Sequence, residues 1–469
     1  MKLTIAALLC LGSMASAQEA WSTYRGNPRR TGNTDNIAGP ATPKILWVFK
    51  SQDHFIASLV PAGDQLLVSG LGAFNRPALM SLPLKSKAAA AEPTWTKSTP
   101  YLKLPVVSSP AVLGDKIVFG DGMHQTDGAV LHCLPAKGGM PVWSYAIPGE
   151  LVHLEGAPSV VGTKVTIGAG SAGVVCLDSS KISFEGKDFT GDEAQKAMAD
   201  KWKDLLARYE VDKKKDPDFA IPPGEDSLPK FSPKLVWQAG KGKWHVDAPV
   251  NAVGGKIVVA SAFLDKEKVG DRAVYCLNAD TGETVWRTPL TYNPWGGASI
   301  VGNTAIVGTS TISFDTKLVK GAKGEVMAID MKDGSVRWKK EFPGGILGCV
   351  AATEDVAVFA CTDGKVRALA IKDGERRWIY DAKATIFASP AIAGDTVYVG
   401  DLKGIVHAID IKGGSGKWTL DLGTNPATKS PGMIYGGISI ADGKLFVATS
   451  NLEGPYARQP TVVVCIGAE

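Results

Sequence analysis

Long apolar runs, strong net charge and basic clusters are missing from the body of this 469-residue sequence. No run beyond the N-terminus reaches the roughly 18 apolar residues that a membrane helix needs, so we expect no transmembrane segment. The formal net charge is only +4, without a long basic stretch, which argues against a nucleic-acid partner. Hydrophobic residues make up 45% and charged residues 21%, a globular composition that excludes global disorder.

Cysteine is also scarce, with seven residues and no spacing typical of a zinc cluster. Four cysteines share one position of an internal repeat, where other copies have alanine, and we interpret them as small buried residues. These four are Cys133, Cys176, Cys276 and Cys465. Cys349 and Cys361 fall within one repeat, but their register is mismatched, so we predict no disulfide between them.

The first residues, MKLTIAALLCLGSMASAQ, combine an early lysine, a short apolar run and a small-residue Ala-Ser-Ala site. This pattern is typical of a secretory signal peptide over residues 1–17, cleaved before Gln18. Cys10 follows a bulky leucine too early in the chain for a lipoprotein anchor. We therefore predict a periplasmic or secreted protein, with an N-terminal extension over residues 18–43.

One phrase ending in tryptophan recurs along the chain, as in AIDMKDGSVRW, ALAIKDGERRW and AIDIKGGSGKW. The repeat tryptophans are Trp47, Trp95, Trp143, Trp237, Trp286, Trp338, Trp378 and Trp418. Each repeat contains four short apolar segments, which we name strands A to D, separated by turns rich in Gly and Asp. The sequence therefore predicts an all-β fold, an eight-bladed β-propeller over residues 44–469. The last repeat lacks its tryptophan, so we expect the segment around Trp47 to close the ring beside residues 462–465.

An insertion over residues 181–233 interrupts the third blade. Thr190 and Glu193 have the spacing of a capping box, and apolar residues then recur at helical spacing up to Tyr209. We predict a helix over residues 192–210. Two interpretations remain open: the helix covers the side or underside of the propeller, or it serves as an arm that docks a partner.

The A-x-D-x-x-x-G-x-x-x-W pattern, clearest at residues 328–338, resembles the repeat of pyrroloquinoline quinone (PQQ)-binding-like propellers. That superfamily contains quinoprotein alcohol dehydrogenases and the propeller of an outer-membrane assembly lipoprotein. The resemblance implies the fold, and it makes PQQ and a divalent cation candidate cofactors. The sequence lacks the adjacent cysteine pair of the dehydrogenases and the Cys-x-x-Cys-His motif of their haem-bearing versions. Neither activity therefore transfers residue by residue.

Aligning the repeats on the turn between strands A and B brings chemically active side chains into register. Nine residues before this turn stand His54, His153, His245 and Asn293 in four of the blades. Seven residues before it, three of these blades have Glu155, Asp247 and Trp295. Positions two apart on a strand face the same way, so we place both sets on strand A, lining the mouth of a central funnel. As surface residues, the histidines are expected to be replaceable with little loss of stability.

Three interpretations of the funnel remain open. It is a hydrated surface without a specific ligand, a site for a small molecule or peptide, or a metal site formed by His153, Glu155, His245 and Asp247. The longer connections between strands B and C, at 263–272, 311–324 and 450–460, lie on the same face.

Two functions follow from these interpretations. The first is a monomeric, non-catalytic binding or protein-interaction scaffold, with a protein or small-molecule ligand at the funnel. The second, implied by the resemblance, is a quinoprotein oxidoreductase with PQQ in the funnel. Trp295 would then stack on the cofactor, and Asp247 or Glu155 would act as a base or as a calcium ligand.

Overall fold

The computed structural model describes residues 21–33, 37–124 and 126–468, so the predicted signal peptide lies outside the described residues. Eight β-sheets follow one another along the chain, and in each the strands A to D pair in antiparallel order. The A strands of neighbouring sheets contact one another from the second sheet to the eighth, and the A strand of the last sheet contacts that of the first. The predicted eight-bladed propeller is therefore confirmed.

Each of blades 1 to 4 consists of strands A, B, C and D in chain order. They are Val60–Ala62, Gln65–Leu71, Pro77–Pro83 and Trp95–Lys97; Ala111–Leu113, Lys116–Gly120, Ala129–Pro135 and Trp143–Ile147; Ser159–Val161, Lys164–Gly168, Val174–Phe184 and Ser232–Ala239; and Asn251–Val253, Lys256–Leu264, Val269–Asn278 and Thr284–Pro289. An additional strand, Lys187–Phe189, pairs with strand C of blade 3.

Blades 5 to 8 have the same order of strands within each sheet. Their strands are Ala298–Val301, Thr304–Gly308, Lys323–Asp330 and Val336–Pro343; Ala351–Ala352, Val356–Ala360, Lys365–Ala370 and Arg376–Asp381; Ala391–Ala393, Thr396–Gly400, Ile405–Asp410 and Gly416–Asp421; and Ser439–Ala441, Lys444–Ala448, Thr461–Gly467 and Lys44–Ser51. Four 3₁₀ turns lie in the described connections, at Ala73–Asn75, Glu225–Ser227, Thr316–Leu318 and Gly454–Tyr456.

Strand D of blade 8 comes from the opposite end of the chain, as predicted. Lys44–Ser51 pairs with Thr461–Gly467 in antiparallel register, and Trp47 lies opposite Cys465. Because the first and last strands of the chain share one sheet, the ring closes through backbone hydrogen bonds within blade 8. The six cysteines among the described residues are buried and free, in agreement with the mismatched register of Cys349 and Cys361.

The insertion forms helix α1, Gly191–Lys215, between strands C and D of blade 3. Thr190 and Glu193 form the predicted capping box, and the helix ends immediately before the Asp-Pro step at residue 216. Ala194 and Met198 are buried in the core of blade 3, whereas Leu206 and Val211 are exposed. The N-terminal half of the helix therefore covers the propeller, in line with the first of the two interpretations. No helix within the described part of the chain is both long and apolar enough to cross a membrane.

Residues 21–33, which we call the N-terminal plug, lie at the inner edges of the A strands. Backbone N–H groups of five A strands donate to carbonyl oxygens of this plug. The pairs, donor first, are Val112 and Ser22, Ala252 and Pro28, Ile300 and Arg29, Ala352 and Thr31, and Ile392 and Gly32. Arg25 and Arg30 are almost wholly buried there. Since the A strands line the central channel, the plug occupies the middle of the ring and links six of its blades.

Candidate functional site

The residues aligned in the sequence lie in the segment that enters strand A, not on the strand itself. Strand A is only two to four residues long in each blade, so it begins after both aligned positions. His54, His245 and Asn293 instead form single antiparallel bridges with residues within two positions of the end of strand B. The placement on strand A was therefore wrong. The segment still lies on the same face as the B–C connections, which we call the B–C face.

The position seven residues before the A–B turn divides this face into two chemically different parts. Around the ring it holds Ile56, Val107, Glu155, Asp247, Trp295, Leu347, Phe387 and Tyr435. The two carboxylates belong to neighbouring blades 3 and 4, whereas aromatic and aliphatic side chains occupy blades 5 to 8. The rim therefore offers charged ligands at blades 3 and 4, and apolar side chains at the other six positions.

The charged part of the rim contains a compact group of three histidines and one aspartate. We call this group, His124, His153, His245 and Asp247, the imidazole cluster. One potential ligand atom from each of the four lies within 4.8 Å of the others. The Nε2 atoms of His153 and His245 are 2.7 Å and 3.0 Å from the two carboxylate oxygens of Asp247. The ring centroids of His153 and His245 are 5.2 Å apart, and that of His124 lies 5.6 Å and 6.3 Å from them.

Blade packing brings these residues together. Glycine at position 156 allows the backbones of blades 3 and 4 to approach closely, because an added Cβ there would lie 2.7 Å from the carbonyl oxygens of Asp247 and Ala248. His124 comes from the B–C connection of blade 2. Its backbone N–H donates to the carboxylate of Glu155, which ties this connection to blade 3. Three consecutive blades thus contribute side chains to one group.

His153 and His245 are fully buried, with 0% of each side chain exposed. The prediction that they line an open surface was therefore wrong, and the expectation that they are replaceable at little cost loses its basis in surface exposure. Both Nδ1 atoms are buried and have no hydrogen-bond partner in the part of the chain that the structure describes. His124 was missed by the alignment because it lies in a B–C connection, outside the repeat register. It is the most accessible member of the cluster.

The ionisation of the cluster follows from burial and from mutual contact. Burial alone would raise the pKa of Asp247, but His245 and His153 reverse this effect and hold it well below its usual range. Burial, reinforced by repulsion from Asp247, raises the pKa of Glu155 to about 7. Burial opposes protonation of His153, yet its hydrogen bond to Asp247 raises its pKa overall. Burial lowers the pKa of His124.

The remaining predicted site residues have local partners outside the cluster. The half-buried His54 accepts a hydrogen bond at Nδ1 from the backbone N–H of Asn451, which joins blade 1 to blade 8. Asn293 bonds to both the N–H and the carbonyl oxygen of Phe263, at 3.0 Å each, and supports the B–C hairpin of blade 4. Trp295 donates from its indole nitrogen to the carbonyl oxygen of Ile312 at 2.9 Å.

At blades 5 to 8, an aromatic group covers the apolar part of the B–C face. We call this group the aromatic cap: Trp295, Phe314, Phe387, Tyr435 and Tyr456. The cap packs with buried Leu347, Leu402 and Met433. The ring centroid of Phe387 lies 5.9 Å from that of Phe314 and 5.5 Å from that of Tyr435. Long connections of blades 5 and 8 thus fold over the short turns of blades 6 and 7. In blade 4, by contrast, the predicted loop at 263–272 is mostly an extension of strands B and C.

A separate cavity of about 350 Å³ lies between the insertion and blade 2. Its lining includes a buried chain in which His132 bonds to Asp121 at 2.9 Å and to Tyr101 at 3.2 Å. The same chain recurs in blade 7, where His407 bonds to Asp401 and Tyr380 at 2.9 Å and 3.1 Å. Because it recurs at equivalent blade positions, this triad is part of the blade architecture, and the imidazole cluster is the stronger candidate site.

Comparisons with known proteins agree with the propeller. A family model described as "Outer membrane protein assembly factor BamB" matches residues 36–192 and 270–466. A comparison with curated proteins finds no match. Among solved structures, BamB from Moraxella catarrhalis superposes with a TM-score of 0.57 at 14% identity, covering 91% of this chain and 98% of that one.

Two quinoproteins are also similar in structure. A europium-containing methanol dehydrogenase gives a TM-score of 0.63 at 13% identity, covering 97% of this chain and 99% of that one. The quinohemoprotein alcohol dehydrogenase from Comamonas testosteroni gives 0.58 at 13% identity, covering 97% and 81%. At such identities the structures demonstrate a shared fold only. The family model, however, matches well over half of the chain, and the protein therefore belongs to the PQQ-like propeller family described as outer membrane protein assembly factor BamB.

Proposed function

We propose that this chain is an exported, non-catalytic propeller that holds a protein partner on its B–C face. The observation that carries the proposal is a set of exposed apolar side chains at the tips of B–C connections: Phe74, Phe314, Leu318 and Leu452. Isolated exposed apolar residues need no explanation, but several on one face, beside an aromatic cap, are typical of a surface that binds protein.

Phe74 in blade 1 is the clearest of these residues. Its side chain is fully exposed, and its backbone has a φ of +57°, in the left-handed region that bulky residues rarely adopt. Two contacts define the surrounding loop: the N–H of Gly72 donates to the carbonyl oxygen of Arg76 at 2.8 Å, and Arg76 pairs with Asp53. A strained backbone that presents an aromatic ring to solvent is better explained by contact with a partner than by folding.

The family supports a protein partner, since its description names an assembly factor for outer membrane proteins. An assembly factor acts through contact with other proteins, and this chain offers apolar loop tips for such contact. Export is proposed from the signal-peptide pattern over residues 1–17. Sequencing the N-terminus of the protein recovered from its source tests export: we expect it to begin at Gln18, and a mature chain that retains residues 1–17 would contradict it.

The quinoprotein alternative requires a quinone and a calcium ion in the same rim. The residues present do not fit this pair. Asp247, the candidate calcium ligand, is bound by two imidazoles, and imidazole nitrogen is a poor ligand for calcium, which prefers oxygen. Trp295, the residue expected to stack on the quinone, instead packs within the aromatic cap, and its indole nitrogen bonds to the backbone of blade 5.

Site-specific photo-crosslinking in the native host tests the protein-binding proposal. A photoreactive amino acid is placed at Phe74 in one variant and at Phe219, an equally large exposed residue of the insertion, in the other. We expect a discrete crosslinked product from position 74 that disappears when Phe314 and Leu452 are both replaced by serine. Equal crosslinking from both positions would show that the B–C face has no special role.

Mixing the purified protein with PQQ and calcium tests the alternative function. We expect the quinone absorption to separate from the protein on gel filtration, and we expect no dye-coupled oxidation of alcohols. Stoichiometric retention of the quinone, together with such oxidation, would favour the oxidoreductase and contradict the non-catalytic proposal.

A further inference from the structure

The imidazole cluster contains more nitrogen ligands than the protein itself satisfies. Two of its three histidines are completely buried, and the Nδ1 atom of each has no hydrogen-bond partner among the described residues. A buried polar atom without a partner costs about 1–3 kcal/mol, so two such atoms in adjacent side chains are unfavourable for a group that only supports the fold. The Tyr-His-Asp chains of blades 2 and 7 show the contrast, since His132 and His407 have partners at both ring nitrogens.

The arrangement of the four side chains suits a single ion. One potential ligand atom from each of His124, His153, His245 and Asp247 lies within 4.8 Å of the others, and three rings meet edge to face. The ligands come from three successive blades, with a carboxylate between two imidazoles. Four candidate ligands within this distance of one another match the number that a tetrahedral site needs.

We propose that His124, His153, His245 and Asp247 bind one divalent transition-metal ion of the zinc class. Three imidazoles and one carboxylate are ligands that Zn²⁺ and its neighbours in the first transition row accept, whereas Ca²⁺ and Mg²⁺ require mainly oxygen. The bound ion would link blades 2, 3 and 4 at the B–C face.

Glu155 acts as a positioning residue for this site. Its carboxylate accepts the backbone N–H of His124 and so holds the B–C connection of blade 2 next to blades 3 and 4. Groups that orient metal ligands in this way typically alter affinity by about 10–100-fold when they are removed. The side chain of His124, which is the most accessible of the four, closes the site from the solvent side.

Metal titration of the full mature chain tests the proposal. The protein is first treated with a chelator, and Zn²⁺, Co²⁺ and Ca²⁺ are then added separately in a calorimeter. We expect one Zn²⁺ per chain, a rise in the thermal unfolding midpoint with Zn²⁺ but not with Ca²⁺, and the intense visible absorption of four-coordinate Co²⁺. Failure to bind Zn²⁺ or Co²⁺ saturably at one ion per chain, or a preference for Ca²⁺, would overturn the proposal.

Two histidine variants locate the site. His124→Ala removes the most accessible ligand, and we expect the affinity for Zn²⁺ to fall by about 100-fold or more while the chelated protein stays folded. His54→Ala is the matched control, because His54 occupies the same repeat position as His153 and His245 but bonds to Asn451 in blade 8. Equal Zn²⁺ affinity in the two variants would place the ion elsewhere. The Co²⁺ spectrum of the unsubstituted protein remains decisive if His124→Ala does not fold.

Discussion

At the scale of single residues, Arg30 shows how one buried charge connects several blades. Its guanidinium donates to the side chain of Thr23 at 2.8 Å, to the carbonyl oxygen of Pro158 at 2.8 Å and to that of Val250 at 3.1 Å. Burial lowers its pKa to about 10, so the group stays protonated at neutral pH. The planar fork of arginine therefore joins the plug to blades 3 and 4.

Replacing Arg30 by lysine keeps the positive charge but removes the planar guanidinium and its several N–H donors. A single ammonium group cannot reach both blades and the plug together, so carbonyl oxygens are left buried without a donor. We expect Arg30→Lys to lower the free energy of unfolding by about 3 kcal/mol in urea titrations. The control is Arg377→Lys on the exposed strand D of blade 6, expected to change it by less than about 0.5 kcal/mol. A similarly small change in the free energy of unfolding for both variants would show that the guanidinium of Arg30 is not needed for stability.

At the scale of the blade, the glycine and the tryptophan of the repeat phrase are partners across a blade boundary. The indole nitrogen of Trp338 in blade 5 donates to the carbonyl oxygen of Ile371 in blade 6 at 2.7 Å. Gly374 of blade 6 has a φ of +70°, and an added Cβ would lie 2.7 Å from the ring of Trp338. The same pairing joins Trp237 with Gly282, Trp286 with Gly334 and Trp378 with Gly414.

A pair of glycine substitutions separates backbone strain from loss of this packing. Gly302 also has a positive φ, +52°, but apart from its two chain neighbours no described residue has an atom within 4 Å of its added Cβ. We expect Gly302→Ala to destabilise the protein by about 1–2 kcal/mol through its backbone alone. Gly374→Ala should be worse by about 1–3 kcal/mol, because the Trp338 ring must move. Urea unfolding midpoints measure the difference, and equal midpoints would mean that the ring adjusts freely.

At the scale of the whole molecule, the ring depends on the N-terminal plug as well as on the shared sheet of blade 8. The plug accepts backbone hydrogen bonds from five A strands, so it ties together blades that are distant in the sequence. Removing it leaves closure by Lys44–Ser51 intact, because that strand pairs separately with Thr461–Gly467.

Truncation tests this contribution. A chain that begins at residue 37 is compared with one that begins at Gln18. We expect an unchanged strand content by circular dichroism, but a free energy of unfolding lower by about 5 kcal/mol, from roughly 1 kcal/mol for each lost hydrogen bond. A synthetic peptide covering residues 21–33 should restore part of the loss. Identical stability of the two chains would show that the plug is only attached to a ring that is complete without it.

The sequence by itself determined the number of blades, the closure by the first strand and the capped helix of the insertion. These features depend on local signals: the spacing of Trp338 and its equivalents, the turn glycines, and the pair Thr190 and Glu193. Such signals repeat along the chain and can be read without knowledge of distant contacts. The repeat register also identified His153, His245 and Asp247, because equivalent positions lie at equivalent heights on neighbouring blades.

Only the tertiary structure decided how these side chains meet and what surrounds them. The burial of His153 and His245 depends on how closely blades 3 and 4 pack, which no single repeat encodes. His124 joins them from a connection whose path is determined by its contact with Glu155 in the next blade. The position of the plug was not predicted from the sequence, because five of its links are carbonyl oxygens that accept backbone N–H groups, and such bonds do not depend on side-chain type.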